Sequence, residues 1–295
     1  TPVPLSIQAT IDISSESMSR SLVTGAAFPG SSEIGIFVTG TGYTPKVTIY
    51  TYDGSTWSLK TTTPAQNPIY LTKNEATVYG FYPTIEPSTS DAITADTGAK
   101  TIPVTIVSNY SEFTVPAGQA DYLYATDGTA TTMEKVSKTS PTASLTFYHA
   151  LSQLSFIVNK AENFGGTGTL TSLKAEAATS NITGTGTLKL DGTGITLSES
   201  SSKLITMTGS TTINAPSFTT VTATALVAPF ATAQTVTLTM TIDGQEYTGT
   251  ISNAKWEAGS NYIYTVTVGG GTLTITSVSI QDWVNVDSEE EVTVG

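Results

Sequence analysis

Residues 5–13 read Leu-Ser-Ile-Gln-Ala-Thr-Ile-Asp-Ile, and apolar and polar side chains alternate through the whole stretch. Successive side chains of a β-strand point to opposite faces, so this period of two predicts a strand with one apolar face. The residues on that face are Leu5, Ile7, Ala9, Ile11 and Ile13. Residues 14–21 are mostly polar and show no period, which predicts a loop directly after the strand.

Short strands of this kind recur along the chain. Asp53-Gly54 and Asp243-Gly244 each lie between two such runs, where an Asp-Gly pair predicts a hairpin turn. Many short strands with regular turns indicate β-sandwiches rather than βαβ units. The other predicted strands are Ile34–Val38, Val47–Tyr52, Thr77–Phe81, Ile102–Val107, Tyr122–Ala125, Thr169–Lys174, Thr187–Leu190, Ile195–Leu197, 236–242, Tyr247–Ile251, Tyr262–Val268 and Leu273–Ile280.

The chain of 295 residues has room for two domains of about 100–200 residues each, although one large β domain also fits. The strand pattern lapses over Asp127–Pro141 and restarts with the apolar run Leu145–Val158. We therefore predict an all-β fold of two tandem β-sandwich domains. The predicted domains are residues 1–141 and 142–295.

The composition excludes several classes of function. A net charge of −12 provides no basic stripe for nucleic acid or for an anionic membrane surface. Cysteine is absent, so no disulfide, thiolate nucleophile or zinc–thiolate site can form. The sequence contains no run of about 18 or more apolar residues, so it predicts no membrane-spanning helix. Because Thr1 is not an initiating Met, we expect a trimmed or mature form whose removed segment could have carried an export signal or lipid anchor.

Six blocks of the sequence resemble the fimbrillin-like proteins of the Bacteroidetes, the major fimbrial subunits or type V pilins. The most specific block is Phe147-Tyr148-His149-Ala150-Leu151 followed by Leu154 and Phe156, which resembles the family pattern F-x-H-A-L-x-x-L-x-F. The blocks follow one another in the family's order over most of the chain. The other five are Gly30–Val38, Gly80–Pro83, Asp121–Ala125, Trp256–Tyr264 and Val278–Trp283.

The resemblance implies two transthyretin-like, Greek-key β-sandwiches, made as a lipoprotein precursor with a signal peptide. It also implies assembly into a fimbria, or pilus, on the cell outer membrane, where the chain is a structural or adhesive subunit that partners other fimbrial subunits. In such families a trypsin-like protease removes the first strand after an arginine, and a neighbour's strand fills the groove. This donor strand exchange is a form of β-strand addition.

Arg20 is the candidate cleavage site. It is the only arginine in the chain and lies in the polar loop predicted after the first strand. Exposed polar loops are preferred sites of proteolytic cleavage. The alternative is an ordinary surface charge. If cleavage releases residues 5–13, the loss of their apolar side chains is comparable to the stability of a whole domain.

The candidate donor is the C-terminal tail, residues 284–295. Its apolar row is interrupted by Ser288 and Glu290, and the run Glu289–Glu291 would place an acid in any groove that receives the full tail. Either part of the tail inserts, or this subunit does not donate in that way, which leaves stalk, tip, anchor and accessory roles open. The apolar members of the row are Val284, Val286, Val292 and Val294.

Few residues suit catalysis, and we expect that the chain is not an enzyme. His149 is the only histidine and lies in an apolar run without a candidate partner nearby, so a structural role is favoured. No Gly-x-Ser-x-Gly motif occurs, and the acids of the tail lack EF-hand spacing. We therefore predict no cofactor and no metal site. A hydrolase with carboxylates that meet only in three dimensions is the weakest hypothesis.

Glycan binding is the alternative to polymerisation. Tyr43, Tyr50, Tyr52 and Trp57 fall close together around one predicted hairpin, and exposed aromatic rings would suit sugars. On a sandwich, however, most such rings serve the core or cross-strand pairs. The second hypothesis is therefore a surface carbohydrate-binding or adhesin module, with Trp57 and Tyr52 contacting a host or bacterial surface glycan or protein.

Overall fold

The computed structural model describes residues 2–12, 28–61, 66–84, 97–129 and 131–283. Every regular element in these ranges is a β-strand, so the predicted all-β class is confirmed. None of these residues belongs to a helix long and apolar enough to cross a membrane. The strands are β1 (Val3–Pro4), β2 (Ser6–Ile11), β3 (Glu33–Thr39), β4 (Thr48–Tyr52), β5 (Trp57–Leu59), β6 (Tyr70–Leu71), β7 (Ala76–Tyr82), β8 (Thr101–Ile106), β9 (Asn109–Tyr110), β10 (Leu123–Thr126), β11 (Lys135–Val136), β12 (Thr142–His149), β13 (Ser152–Lys160), β14 (Thr169–Ala177), β15 (Gly184–Lys189), β16 (Gly194–Leu197), β17 (Leu204–Thr212), β18 (Ala223–Val227), β19 (Phe230–Ile242), β20 (Gln245–Trp256), β21 (Ser260–Gly269) and β22 (Thr272–Asp282).

The largest sheet contains strands from the first half of the chain, in the order β2-β12-β10-β7-β3-β4-β5, with β11 paired to β7. It curls so that its two edge strands, β2 and β5, approach each other. The concave side encloses one apolar core, which includes Ile7, Ile34, Val78 and Phe147. β1 and β6 form a separate two-stranded sheet.

The other side of the largest sheet carries a second apolar core. Because side chains alternate along a strand, β7 supplies Val78 to the first core and Tyr79 and Phe81 to the second. A three-stranded sheet in the order β16-β15-β8 contributes Ile102 and Leu188 to this second core.

The second half of the chain forms a β-sandwich. A four-stranded sheet, in the order β18-β13-β21-β22, packs on a five-stranded sheet, in the order β20-β19-β14-β17-β9. Its core contains alternate residues of both sheets, such as Phe156 and Tyr264 on one side and Leu238 on the other. Trp256 is fully buried there and donates its indole N–H to the Tyr264 hydroxyl at 2.8 Å.

The division predicted between residues 141 and 142 stays a prediction, and strand pairing crosses it. β12 pairs with β2 and β10, and β8 pairs with β15. The run Leu145–Val158 divides into β12, which joins the largest sheet, and β13, which joins the four-stranded sheet. Ala150 and Leu151 link these strands and are buried in the second core.

Candidate functional site

The edge strand β2 is the candidate functional element. It runs parallel to β12, in a register that pairs Ser6 with Thr142 and Ile11 with Phe147. Backbone N–H groups at its two ends donate to the β12 side, from Ser6 to Pro141 at 2.9 Å and from Asp12 to Phe147 at 2.8 Å. Among the described residues, β12 is the only ladder neighbour of β2.

The apolar row of β2 faces the first core. Leu5, Ile7 and Ile11 are buried there, and Ala9 is partly buried against the same core. The intervening Ser6, Gln8 and Thr10 are exposed. Ile13, the last residue of the predicted row, lies outside the described residues. β2 therefore contributes a row of side chains to the first core, although it forms a ladder on one side only.

Two further contacts hold the start of β2. The Leu5 N–H donates to the carbonyl of Ile69 at 2.8 Å, and the Tyr50 hydroxyl lies 3.5 Å from the Leu5 carbonyl. Burial raises the pKa of Tyr50 to about 12, so this phenol stays protonated and donates at neutral pH. The sequence offered no signal for this bond, because Tyr50 comes from β4, far from β2 along the chain.

Arg20 lies outside the described residues, as do the tail residues Val284, Val286, Val292 and Val294. The chain is described again from Phe28, which is buried in the first core. Its ring meets Trp57 and Phe147 edge-on, with ring centroids 5.1 Å apart in both pairs. Ile11 and Phe28, on either side of the segment that contains Arg20, therefore lie in the same core.

The two candidate glycan residues lie together at the other edge of the sheet. The rings of Tyr52 and Trp57 are 5.0 Å apart and tilted by 30°. Both are half-buried and pack against the first core, and the Trp57 indole N–H finds no acceptor within the described part of the chain. Only part of each ring is therefore open to a ligand.

His149 lies at the end of β12, between the largest sheet and the sandwich. Its Nδ1 is 3.0 Å from Oδ2 of Asp121, which is fully buried, and its ring stacks on Trp283. These contacts support a structural role. Sequence reasoning missed the partners because they lie far from His149 along the chain. No group of three or more His, Cys, Asp or Glu residues that could hold a metal occurs in the described ranges.

The family comparison decides what the chain is. A family model for fimbrillin-like proteins matches residues 20–283. The chain belongs to the fimbrillin-like family. The matched part of this fimbrillin-like chain begins after β2 and ends at Trp283. A search of the curated proteins found no match.

Solved structures share the fold of this fimbrillin-like chain. A proposed cell adhesion protein from Bacteroides ovatus is 18% identical with a TM-score of 0.68, and the match covers 97% of this chain and 100% of that one. Another from Bacteroides uniformis is 19% identical with a TM-score of 0.62, covering 96% and 99%. A fimbrial protein from Bacteroides vulgatus is 12% identical with a TM-score of 0.51, covering 96% and 100%. At these identities the similarity establishes the fold alone.

Proposed function

We propose that this chain is a fimbrial or adhesion subunit of a bacterial surface, assembled when β2 is exchanged for a strand of a neighbouring subunit. Family membership supports the surface role, and the solved fimbrial and adhesion proteins share the fold. The observation that supports exchange is the position of β2, an edge strand that buries three large apolar residues. A lipoprotein precursor, an outer-membrane location and a trypsin-like maturation protease complete the proposal.

The energetics favour refilling of the groove. Burying a large apolar side chain stabilises a protein by about 1.5–3 kcal/mol, so loss of Leu5, Ile7 and Ile11 removes about 5–9 kcal/mol. A whole domain is stable by only about 5–15 kcal/mol. A subunit without β2 is therefore strongly driven to bind another apolar strand.

The parallel pairing of β2 adds a reason for exchange. A parallel ladder is slightly less stable per residue than an antiparallel one. A donor strand that runs antiparallel to β12 would therefore replace the β2 ladder with a stronger one. The proposed donor is the tail of a neighbouring copy, through Val284, Val286, Val292 and Val294.

The proposal is for a non-catalytic role. His149, the only histidine, is packed between Asp121 and Trp283, with 7% of its surface exposed. A general base must reach a substrate proton, and this imidazole is stacked on Trp283 of the second core instead.

An arginine-specific protease tests the exchange. Because Arg20 is the only arginine, the enzyme can cut only there, and Arg20→Lys is a control that keeps the charge but resists cleavage. We expect the cut chain to release residues 1–20 and to bind a synthetic peptide of residues 284–295, or to polymerise. A cut chain that keeps the first peptide, binds no tail peptide and stays monomeric contradicts the proposal.

Glycan binding is a second candidate function, favoured by the adjacent Tyr52 and Trp57 rings beside an exposed turn. A glycan array with the intact monomer tests it. Trp57→Ala should then abolish any binding, whereas Tyr70→Ala, at an exposed tyrosine elsewhere, should leave it unchanged. An array without binding removes this candidate.

A further inference from the structure

The last strand of the sandwich, β22, exposes two large apolar side chains. Val278 is 48% exposed and Ile280 is 64% exposed. They lie directly opposite Tyr264 and Tyr262 of β21, which are buried. Residues paired in a ladder share a face of the sheet, so Val278 and Ile280 belong to the core-facing row although no described residue covers them.

On the side away from β21, the backbone of the same segment has no ladder partner among the described residues. Among the described residues, β21 is the only ladder neighbour of β22. The Trp283 N–H donates to the Gly259 carbonyl at 2.9 Å, on the β21 side. Because bonding direction alternates along an antiparallel strand, the N–H and C=O groups of Val278 and Ile280 point away from β21. Apolar side chains and free backbone groups thus occur together.

This edge carries little of the usual protection against pairing. Natural sheets protect free edges with charged residues, prolines or bulges. The other long edge of the sandwich, β20, carries Glu246 and Lys255 and has a positive φ of 55° at Asn253. In β22 the only charged residue is the last one, Asp282, and no proline occurs. Its one register shift, at Thr276, precedes Val278 and Ile280. We therefore expect β22 to be covered by another strand.

The chain's own tail does not match this edge. A tail that turned back after Trp283 through about two, three or four residues would place Glu289, Glu290 or Glu291, respectively, opposite Ile280. Each register puts a carboxylate in an apolar row, where an unpaired charge is costly. The occupant must instead offer apolar side chains at this position.

We infer that β22 is an interface for a second copy of this chain, with the two β22 strands antiparallel across a two-fold axis at Ser279. In this register Val278 pairs with Ile280 of the partner subunit, and the reverse. The regular overlap covers residues 277–281 of each copy. The two four-stranded sheets become one sheet, and the apolar row continues across the interface.

The sequence around Ser279 is suited to pairing with itself. Apolar Val278 and Ile280 lie at equal distances on either side, and the next positions, Ser277 and Gln281, are both polar. A two-fold interface requires such a self-complementary surface. The charge of −12 opposes association in general, but the edge is neutral over 272–281, and salt at about 0.15 M screens charges beyond roughly 8 Å.

Sedimentation of the uncut chain tests the interface independently of strand exchange at β2. The native chain should show a monomer–dimer equilibrium below about 100 µM. Ile280→Lys should weaken the dimer at least about tenfold, since two buried cations would face each other's apolar row. Phe218→Lys is the control, because Phe218 is a similarly exposed apolar residue, 56% exposed, on a loop.

A single cysteine tests the register, because the native chain has none. Residues 279 of the two copies would form a non-hydrogen-bonded pair with Cα atoms about 4.5 Å apart, which suits a disulfide. Ser279→Cys should therefore form a covalent dimer under mild oxidation much faster than Ser252→Cys, at an exposed serine of β20. Adding Ile280→Lys to Ser279→Cys should abolish the difference.

Three outcomes overturn the inference. The native chain is monomeric at every concentration, or Ile280→Lys dimerises as well as the native chain does. Alternatively, Ser279→Cys crosslinks no faster than Ser252→Cys.

Discussion

The imidazole of His149 stacks on the indole of Trp283, with ring centroids 4.5 Å apart and an interplanar angle of 13°. The pair joins the end of β12 to the residue that follows β22. Trp283 is buried in the core between the largest sheet and the sandwich, with Ala150, Leu151 and Leu226. The origin of the C-terminal tail is therefore fixed at the junction of the two halves.

Trp283→Ala should destabilise the chain by about 3–5 kcal/mol, because it leaves a cavity in the second core. Trp283→Phe should cost less. It keeps the stack and removes an indole N–H that has no acceptor among the described residues. Urea unfolding measures both changes.

Phe218→Ala is the matched control for Trp283→Ala, since Phe218 is aromatic and exposed. Its unfolding free energy should change by less than about 0.5 kcal/mol. Equal losses of unfolding free energy at the two positions would show that the burial of Trp283 does not stabilise the fold.

The row of Leu5, Ile7 and Ile11 could be predicted because alternation alone places these residues on one face. The parallel partner β12 could not, since ladder partners distant in sequence are determined by tertiary packing.

The same limit applies at β22. Leu273 and Ile280 belong to one predicted strand, yet Leu273 is buried beside Gly249 and Ile280 is open. Burial there depends on where the opposing sheet reaches, which no local pattern records.

Gly35 and Phe81 lie opposite each other on β3 and β7, and a Cβ on Gly35 would come 2.2 Å from Cζ of Phe81. Phe81 is fully buried, so its ring has little room to move. Gly35→Ala should therefore destabilise the chain by about 1–3 kcal/mol through overpacking. Thermal unfolding measures the loss.

Gly30→Ala is the control for this prediction, because no atom lies within 4 Å of its added Cβ. A smaller ring partner should relieve the clash. In a double-mutant cycle, Gly35→Ala should cost less in a Phe81→Leu background than in the native chain. Strict additivity of the two changes would contradict a direct contact.

Asp243 should make stability depend on pH. Its carboxylate accepts the backbone N–H groups of Gly168 and Thr169, each at 2.8 Å, and these bonds lower the pKa of Asp243. A folded pKa below the unfolded value, roughly 4, means that the stabilisation is fully present above that value. It is lost as the pH falls through the folded pKa.

Asp243→Asn should therefore be less stable than the native chain at pH 7, and the gap should close in acid. Asn is also suited to the turn before Gly244 and tolerates the positive φ of 50° at position 243, so the change reports on the carboxylate. Glu246→Gln, at an exposed residue of the same hairpin, is the control and should change the stability little at pH 7. A gap for Asp243→Asn that stays constant down to low pH would point to a cause other than ionisation.

The apolar face of β2 should control how fast the strand is replaced. Ile7 is buried in the first core and Gln8 is exposed on the opposite face of the same strand. Ile7→Ala removes core contacts worth about 2–4 kcal/mol, whereas Gln8→Ala removes almost none.

After cleavage at Arg20, we expect a labelled 284–295 peptide to displace residues 1–20 faster from Ile7→Ala than from the native chain. Gln8→Ala should match the native rate. Stopped-flow fluorescence gives the three rates. Equal rates for all three chains would mean that the buried row of β2 does not hold the strand in its groove, and exchange at this edge would lose its physical basis.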